Sequence, residues 1–573
     1  MSLSPIPNIP FPIDTSKWED YQAYYEKLSN VTLEQSNLRD WLKEWSDLSR
    51  FVEEVGSITY IESTLDTTDE SKEQAFLNFV ENIEPNVRRA DQVLKERLLA
   101  HVQDDDALGP DMSVALRRMR NQADLFREAN IPLLTELAKL GNDFDKITGG
   151  LKVDWDGEEK NLSQLETLLL SRDRAVRERA WNVTMALWQS KRAELNDNYR
   201  QMLTLRRNIA ENAGFADYRE YIYRAYNRFD YTPADSLRFQ DAIETIVVPA
   251  AARVYERKRA QLGLETLRPW DVAVDSSGQP PLQPYMAQDA LIQGSLNIFE
   301  HVDSGMARQF ATMAEENLLD LDTRAGKALG GYCSNLPWRG RPFIFMNGAG
   351  VHDDVQTMLH EAGHAFHSFE SFSLPYIWQT DVPMEFCEVA SMSMELLAAP
   401  YLTKNYGGFY SDAEAARARI EHLSGILLFL PYMAVVDGFQ HWVYTHSDKA
   451  LDSVACDEAW DKLWMRFMRG IDWSGFEAER ESGWHRKLHI FHVPFYYIEY
   501  GMAQVGALQV WRNALQDQNK AVATYRNALK LGGTRPLPEL FAAAGAEFRF
   551  DEAMLEKLVD LVENTLAQLE RAN

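Results

Sequence analysis

Five consecutive residues, His360-Glu361-Ala362-Gly363-His364, constrain this 573-residue chain more than any other feature. They lie inside residues 353–369, where Val355, Met358, Leu359, Ala362, Ala365, Phe366 and Phe369 recur at three- and four-residue intervals, the period of a helix with a buried face. Asp353 and Asp354 suit the positive N-terminal end of that helix. Residues four apart are neighbours on a helix surface, so the imidazoles of His360 and His364 can converge on one ion while Glu361 approaches water held by it. Zinc binds neutral imidazole and carboxylate oxygen, and a catalytic zinc keeps three protein ligands and one open position. A third ligand is therefore required. An ordinary helix with two hydrogen-bonded histidines has the same spelling, and only companion residues separate the two readings.

Residues 380–395 have their last proline at Pro383 and then helical apolar spacing, which predicts a second helix bearing Glu385, Glu388 and Glu395. Glu388 and Glu395 are seven apart and lie near one face, and Glu385 sits three before Glu388. Spacing alone leaves all three as candidate ligands. Interleaving with Phe386, Val389, Ala390, Met392 and Met394 predicts partial burial, and a buried carboxylate needs a partner such as a metal. Seven of the twelve histidines fall within 352–367 and 485–492, a clustering that favours chemistry over structural scatter.

These motifs, with Gly330-Gly-Tyr-Cys333, Pro342-Phe-Ile-Phe345, the histidine run as far as His367 and the segment from His489 to Tyr500, closely resemble the oligoendopeptidase F and thimet oligopeptidase family of zinc metallopeptidases, nearest its Pz-peptidase-like bacterial members. Arg268-Pro-Trp-Asp271 and the surroundings of Arg172-Asp-Arg174 extend the likeness over roughly the last two thirds of the chain. The resemblance implies a mainly α, neurolysin- or thimet-like elongated helical fold, with a deep substrate channel and a small β element beside the zinc helix. It implies one zinc ion as cofactor and oligopeptides as substrates. It puts the third zinc ligand on Glu388, 24 residues beyond His364. Glu385 and Glu395 become candidates for holding a ligating imidazole through its other ring nitrogen, and His367 is either such an outer contact or a core histidine.

Peptide hydrolysis also needs donors for the oxygen that turns negative when water attacks a carbonyl, and tyrosine and histidine can supply them. The resemblance assigns this role to His489, Tyr497 and Tyr500, with His492 and Tyr496 as alternatives. Tyr497 and Tyr500 are three apart and Tyr496 and Tyr500 four apart, so either pair can share a helical face. The segment holds fewer glycines than the mammalian members, which predicts a less mobile loop. The expected activity is that of a zinc metalloendopeptidase cutting internal bonds of short oligopeptides, with Glu361 as general base. A zinc carboxypeptidase or a catalytically silent peptide-binding protein on the same scaffold are the alternatives. Residues 342–346 are short and apolar and predict a strand. It is either an edge that pairs with an extended peptide or an internal hairpin strand, and the resemblance favours the edge.

The net charge of −27 disfavours nucleic acid and anionic membranes as partners. Three dispersed cysteines, Cys333, Cys387 and Cys456, do not make a disulfide framework, which fits a cytoplasmic protein. The proline-rich start has no basic segment followed by an apolar core, so no secretion signal is expected. Residues 426–436 contain Pro431 and are too few to span a bilayer, which predicts a core helix. Helical periodicity recurs at 82–103, 113–140, 175–212, 233–264 and 550–569. Residues 149–161 predict a small strand and turn, and 263–285 an irregular excursion. The expected domains are an N-terminal helical part, 1–180, and a catalytic zinc metallopeptidase part, 181–573, closely packed because no flexible linker divides them.

Overall fold

A computed structural model describes residues 13–572 apart from Ala325 and Leu329; most of the proline-rich start lies outside the described residues. Helices dominate. Residues 82–103 fold as Glu84–His101, and 550–569 as Glu552–Ala572. Longer periodic runs are interrupted. Residues 113–140 divide between Pro110–Leu125 and Asn130–Gly149, and 175–212 between Arg174–Ser190 and Arg192–Asn212. In 233–264 a π turn, Ile243–Val247, joins Pro233–Ala242 to Val248–Gln261. Pro249 lies just beyond that turn, and a helical proline removes one hydrogen bond and collides with the carbonyl four residues back. The wider turn absorbs the conflict. The same arrangement recurs where the π turn Phe79–Ile83 precedes Pro85.

The chain forms two compact units, each made of three segments. The first comprises the described residues up to Asp124, Leu282–Ala415 and Gly506–Phe548. The second comprises Leu125–Pro281, Ala416–Val505 and the described residues from Arg549 onward. Neither unit is one continuous stretch such as 1–180.

Five short strands are present among the described residues. In the second unit, β1 (Lys152–Trp155) and β2 (Glu158–Asn161) form an antiparallel hairpin where a small strand and turn were expected, at 149–161. In the first, β3 (Leu319–Asp322), β4 (Tyr332–Leu336) and β5 (Arg341–Gly348) form a sheet in the order β3-β5-β4. β5 is parallel to β3 and antiparallel to β4. The expectation that residues 342–346 offer a peptide-binding edge is therefore corrected: both edges of that strand are occupied, and Phe343, Ile344 and Phe345 are fully buried. An unbroken apolar run reads the same at the centre of a sheet as at its border. The border positions belong to β3 and β4, each of which has β5 as its one hydrogen-bonded neighbour among the described strands.

Helix Leu38–Leu65 supplies Trp41, Trp45 and Phe51 to the core of the first unit and packs on β4, where Thr64 Oγ1 and the Tyr332 hydroxyl lie 2.6 Å apart. Helix His352–Ser371 packs against β4, β5 and helix Met384–Ala398, the two helices expected to carry the metal ligands. In the second unit, Asp271 pins the irregular 263–285 segment. It is fully buried and accepts from Arg174 Nη2 and Arg177 Nη2, each at 2.8 Å. Residues 426–436 belong to the 34-residue helix Asp412–Thr445, which is long and apolar enough to cross a membrane. Because 67% of its most apolar window is buried inside the protein, it serves as a core helix.

Candidate metal centre

The histidine helix is fixed at its start by Asp354. One oxygen of that carboxylate accepts the backbone N–H groups of Ala349, Gly350 and Val351 at 2.9, 2.8 and 2.9 Å and the Tyr285 hydroxyl at 2.6 Å. A side chain that satisfies several orphan donors at a helix start determines where the first turn begins, and hence which face each later residue occupies. Two turns on, His360 and His364 stand with ring centroids 4.9 Å apart and planes 83° apart.

Gly363 lets the second helix approach to backbone contact. A Cβ at that position would lie 2.6 Å from Ser391 Cα and 2.9 Å from the Ala390 carbonyl oxygen. The approach brings Glu388 Oε2 to 3.3 Å from His360 Nε2 and 3.6 Å from His364 Nε2. All three ligand atoms lie within 4.8 Å of one another. A tetrahedral zinc with bonds of about 2.0–2.1 Å requires donors about 3.3–3.4 Å apart. The donor types fit that ion, and the two oxygen-to-nitrogen separations lie close to that spacing.

Supporting contacts hold the donors in place. Glu395 Oε1 lies 2.7 Å from His360 Nδ1, which leaves Nε2 to face the other donors. Ser391 Oγ donates to Glu388 Oε2 at 3.0 Å, and the Tyr525 hydroxyl donates to the Ala390 carbonyl at 2.7 Å. Of the two glutamates considered for holding an imidazole, Glu395 reaches His360; Glu385 is buried in the first turn of its helix. His367 resolves as a core histidine. It is 4% exposed, meets the Phe386 ring edge-on at 5.8 Å, and its Nε2 makes no hydrogen bond among the described residues.

Burial pulls the His360 imidazole down, but Glu388 and Glu395 outweigh it and raise its pKa well above the usual value. Burial lowers His364 to about 4. Burial also works against the Glu388 carboxylate, yet the two histidines hold it below its ordinary value. A neutral imidazole and an ionised carboxylate are the forms a cation takes. Glu361 is 8% exposed, and burial pushes it to about 7; His360 and the Cys333 backbone oppose the rise, while Glu388 and Glu395 add to it. Such a group can give or take a proton near neutrality.

The remaining predicted residues gather in the second unit. His489, in the short helix Leu488–His492, has its ring 4.9 Å from Tyr497, 5.8 Å from Tyr500 and 6.2 Å from Tyr496. Tyr497 and Tyr500 open helix Tyr497–Ala514, with rings 5.6 Å apart, and Tyr496 lies 5.2 Å from Tyr500. His492 is held elsewhere, with Nε2 2.9 Å from Asp145 Oδ1 and its ring edge-on to Phe144. Tyr497 is buried against Phe429 and Tyr432, with Lys487 Nζ 4.1 Å from its ring centre. Burial raises its pKa well above the usual value, which keeps the phenol a donor. Tyr496 and Tyr500 are half-buried.

Sequence reasoning missed Gly363, Ser391 and Tyr525. Gly363 had a signal: glycine in a helix interior costs about 1 kcal/mol relative to alanine, so its place within the motif points to close packing. Ser391, one turn beyond Glu388, follows from helical spacing once Glu388 is chosen. Tyr525 has no local signal.

The description of peptidase family M3 fits residues 167–560, and that of the peptidase M3 N-terminal domain fits residues 10–126. Oligopeptidase PepF of Bacillus subtilis is 20% identical over 542 residues, 91% of this chain and 75% of PepF. An oligoendopeptidase F homologue of Lactococcus lactis subsp. lactis is 23% identical over 338 residues, which are 56% of this chain and 52% of that protein; the chain thus spans about half the length of that relative. Among solved structures, a Pz peptidase A with an inhibitor superposes with a TM-score of 0.86 at 28% identity, covering 96% of this chain and 97% of that one. A chain provisionally described as oligoendopeptidase F gives 0.88 at 28% identity over 97% of this chain and 98% of the other. The family match extends over the helices bearing His360, His364 and Glu388 and over the tyrosine cluster, well beyond half of the sequence, and the chain accordingly belongs to peptidase family M3.

Proposed function

We propose that this metallopeptidase hydrolyses internal bonds of short oligopeptides, using one zinc ion held by His360, His364 and Glu388 and Glu361 as general base. The observation that carries this reading is the convergence of His360 Nε2, His364 Nε2 and Glu388 Oε2 within 4.8 Å, on the helix that also bears the buried Glu361. Zinc in such a site makes water a nucleophile at neutral pH and draws electron density from a carbonyl. Glu361 takes the proton of the attacking water and delivers it to the leaving amine, two tasks suited to a carboxyl whose proton affinity lies near neutrality. Glu395 accepts from His360 Nδ1–H, so the tautomer with a free Nε2 persists. Tyr500, with His489 and either Tyr497 or Tyr496, donates to the oxygen that gains negative charge.

The border strand β4 beside the histidine helix supports binding of an extended peptide through its main chain, which would admit varied side chains. The relatives named oligopeptidase and oligoendopeptidase support the same substrate class. No disulfide links Cys333, Cys387 and Cys456, which supports a reducing, cytoplasmic setting.

Glu361→Gln is expected to keep one zinc per chain while cleavage of a quenched oligopeptide disappears. Cleavage at the parent rate would remove Glu361 from the mechanism. Mass spectrometry of a C-terminally blocked peptide then separates internal cutting from end trimming; loss of terminal residues alone excludes the endopeptidase reading.

A further inference from the structure

Two buried arginines grip the segment that carries the tyrosine cluster. Arg206, on helix Arg192–Asn212 and 2% exposed, donates to the carbonyls of Ile490, at 3.2 Å, and Phe491, and to the Tyr444 hydroxyl at 2.9 Å. Arg228, in the turn after helix Tyr218–Ala225, donates from Nη2 to the Phe495 carbonyl at 2.5 Å and to Glu499 Oε1 at 2.6 Å. Gln440 secures the other side of the same residue: its Oε1 accepts the Phe495 N–H at 2.6 Å. Both backbone groups of Phe495 are therefore held by buried side chains from elsewhere in the unit.

Phe495 has φ +65°, in the left-handed region. For a bulky aromatic residue this is a strained conformation that persists only where the surroundings over-determine it. The surroundings do so here. The Phe495 ring is wholly buried among Tyr223, His441 and Tyr444, with ring centres 5.5, 5.1 and 5.5 Å away. The Arg228 guanidinium is boxed by Tyr223, Tyr226 and Tyr231 at 4.5, 5.1 and 5.4 Å. Immobilising the guanidinium in this way fixes its Nη2 between the Phe495 carbonyl and Glu499 in the first turn of the tyrosine helix. His489 lies just before the gripped stretch 490–495, and Tyr496, Tyr497 and Tyr500 follow it directly. The φ of one residue between them sets how the two groups of side chains face each other.

We propose that Arg206 and Arg228 are positioning residues for hydrolysis, locking the 490–495 turn in its strained form so that His489 and the tyrosine donors keep a fixed mutual geometry. This rests on the reading that those tyrosines assist the reaction. Without the two clamps, Phe495 relaxes to an ordinary φ and the first turn of helix Tyr497–Ala514 swings away from His489.

The experiment uses the zinc-loaded full chain carrying R228K. Lysine keeps the charge opposite Glu499, but its flexible stem carries no planar guanidinium for the three tyrosine rings to hold in place. Hydrogen–deuterium exchange read by mass spectrometry is expected to rise about tenfold or more across residues 490–500 and to stay unchanged elsewhere. Turnover is expected to fall about tenfold with KM within about twofold, and Y500F should cost less in the R228K background than in the parent, because the two act through one element. Unchanged exchange at 490–500, exchange raised equally throughout the unit, or strictly additive kinetic effects would overturn the proposal. If Y500F alone leaves turnover intact, the donor role of Tyr500 fails, while the exchange result still decides the clamp. Should R228K not fold, R206K is read by the same exchange measurement, with the same two outcomes.

Discussion

His360, His364 and Glu388 stand on two regular helices whose separation is set by backbone contact at Gly363, whereas His489 and Tyr500 stand on either side of an irregular turn shaped by side chains from other helices. The ties differ in range accordingly. Glu395 reaches a histidine 35 residues away, but Arg228 reaches Phe495 across 267 residues and Arg206 reaches Ile490 across 284. The histidine–glutamate cluster is thus a local construction that two helices suffice to specify. The tyrosine face exists only after much of its unit has folded around it.

Substitutions can break or sharpen that contrast. The largest effect is expected for Glu388→Ala, which removes one of three donors from a prearranged set: bound zinc measured by mass spectrometry and peptide cleavage should vanish together. Retention of stoichiometric zinc would show that Glu388 is not a ligand. Next comes Tyr500→Phe, the loss of one hydrogen-bond donor, expected to lower turnover by about a hundredfold with KM little changed. Turnover equal to the parent's would move the oxyanion donor elsewhere. Glu395→Gln should weaken zinc binding by roughly 10–100-fold in competition with a chelator, because Gln holds the His360 ring with a weaker acceptor. An unaltered zinc affinity would reduce Glu395 to a packing role. The smallest change is expected for Gly363→Ala. Its methyl group meets backbone atoms of the facing helix and should cost about 1–3 kcal/mol in denaturant unfolding; no loss would mean that the helices separate freely.

The histidine–glutamate cluster was legible because its information is periodic. His360, His364 and the apolar stripe define one helix, Glu388 and Glu395 a second, and the structure places them within reach as the spacing requires. Spacing could not choose among three glutamates, since helical geometry puts all of them near one side; the choice depends on how the helices cross, and the crossing is set at Gly363 and Ser391. The strand at 342–346 was found but misplaced in its sheet, because hydrophobicity reports burial and not neighbours. The gripped turn could not be read at all. Nothing in the local pattern of Phe495 announces a positive φ, and Arg206 and Arg228 occupy sequence with no recognisable motif. The breaks at Pro249 and Pro85 were visible as prolines, but their accommodation by π turns within a continuing helical path was not.

The Cys333 backbone hydrogen bond to Glu361 ties β4 to the proposed general base. A peptide added to that strand would be indexed against it like a ruler against a fixed mark. Main-chain pairing along a strand repeats every second residue, so a bound chain could shift only in dipeptide steps without losing its bonds. Which bond is cut would then be a matter of register, counted from where the chain is seated, before any side chain is inspected.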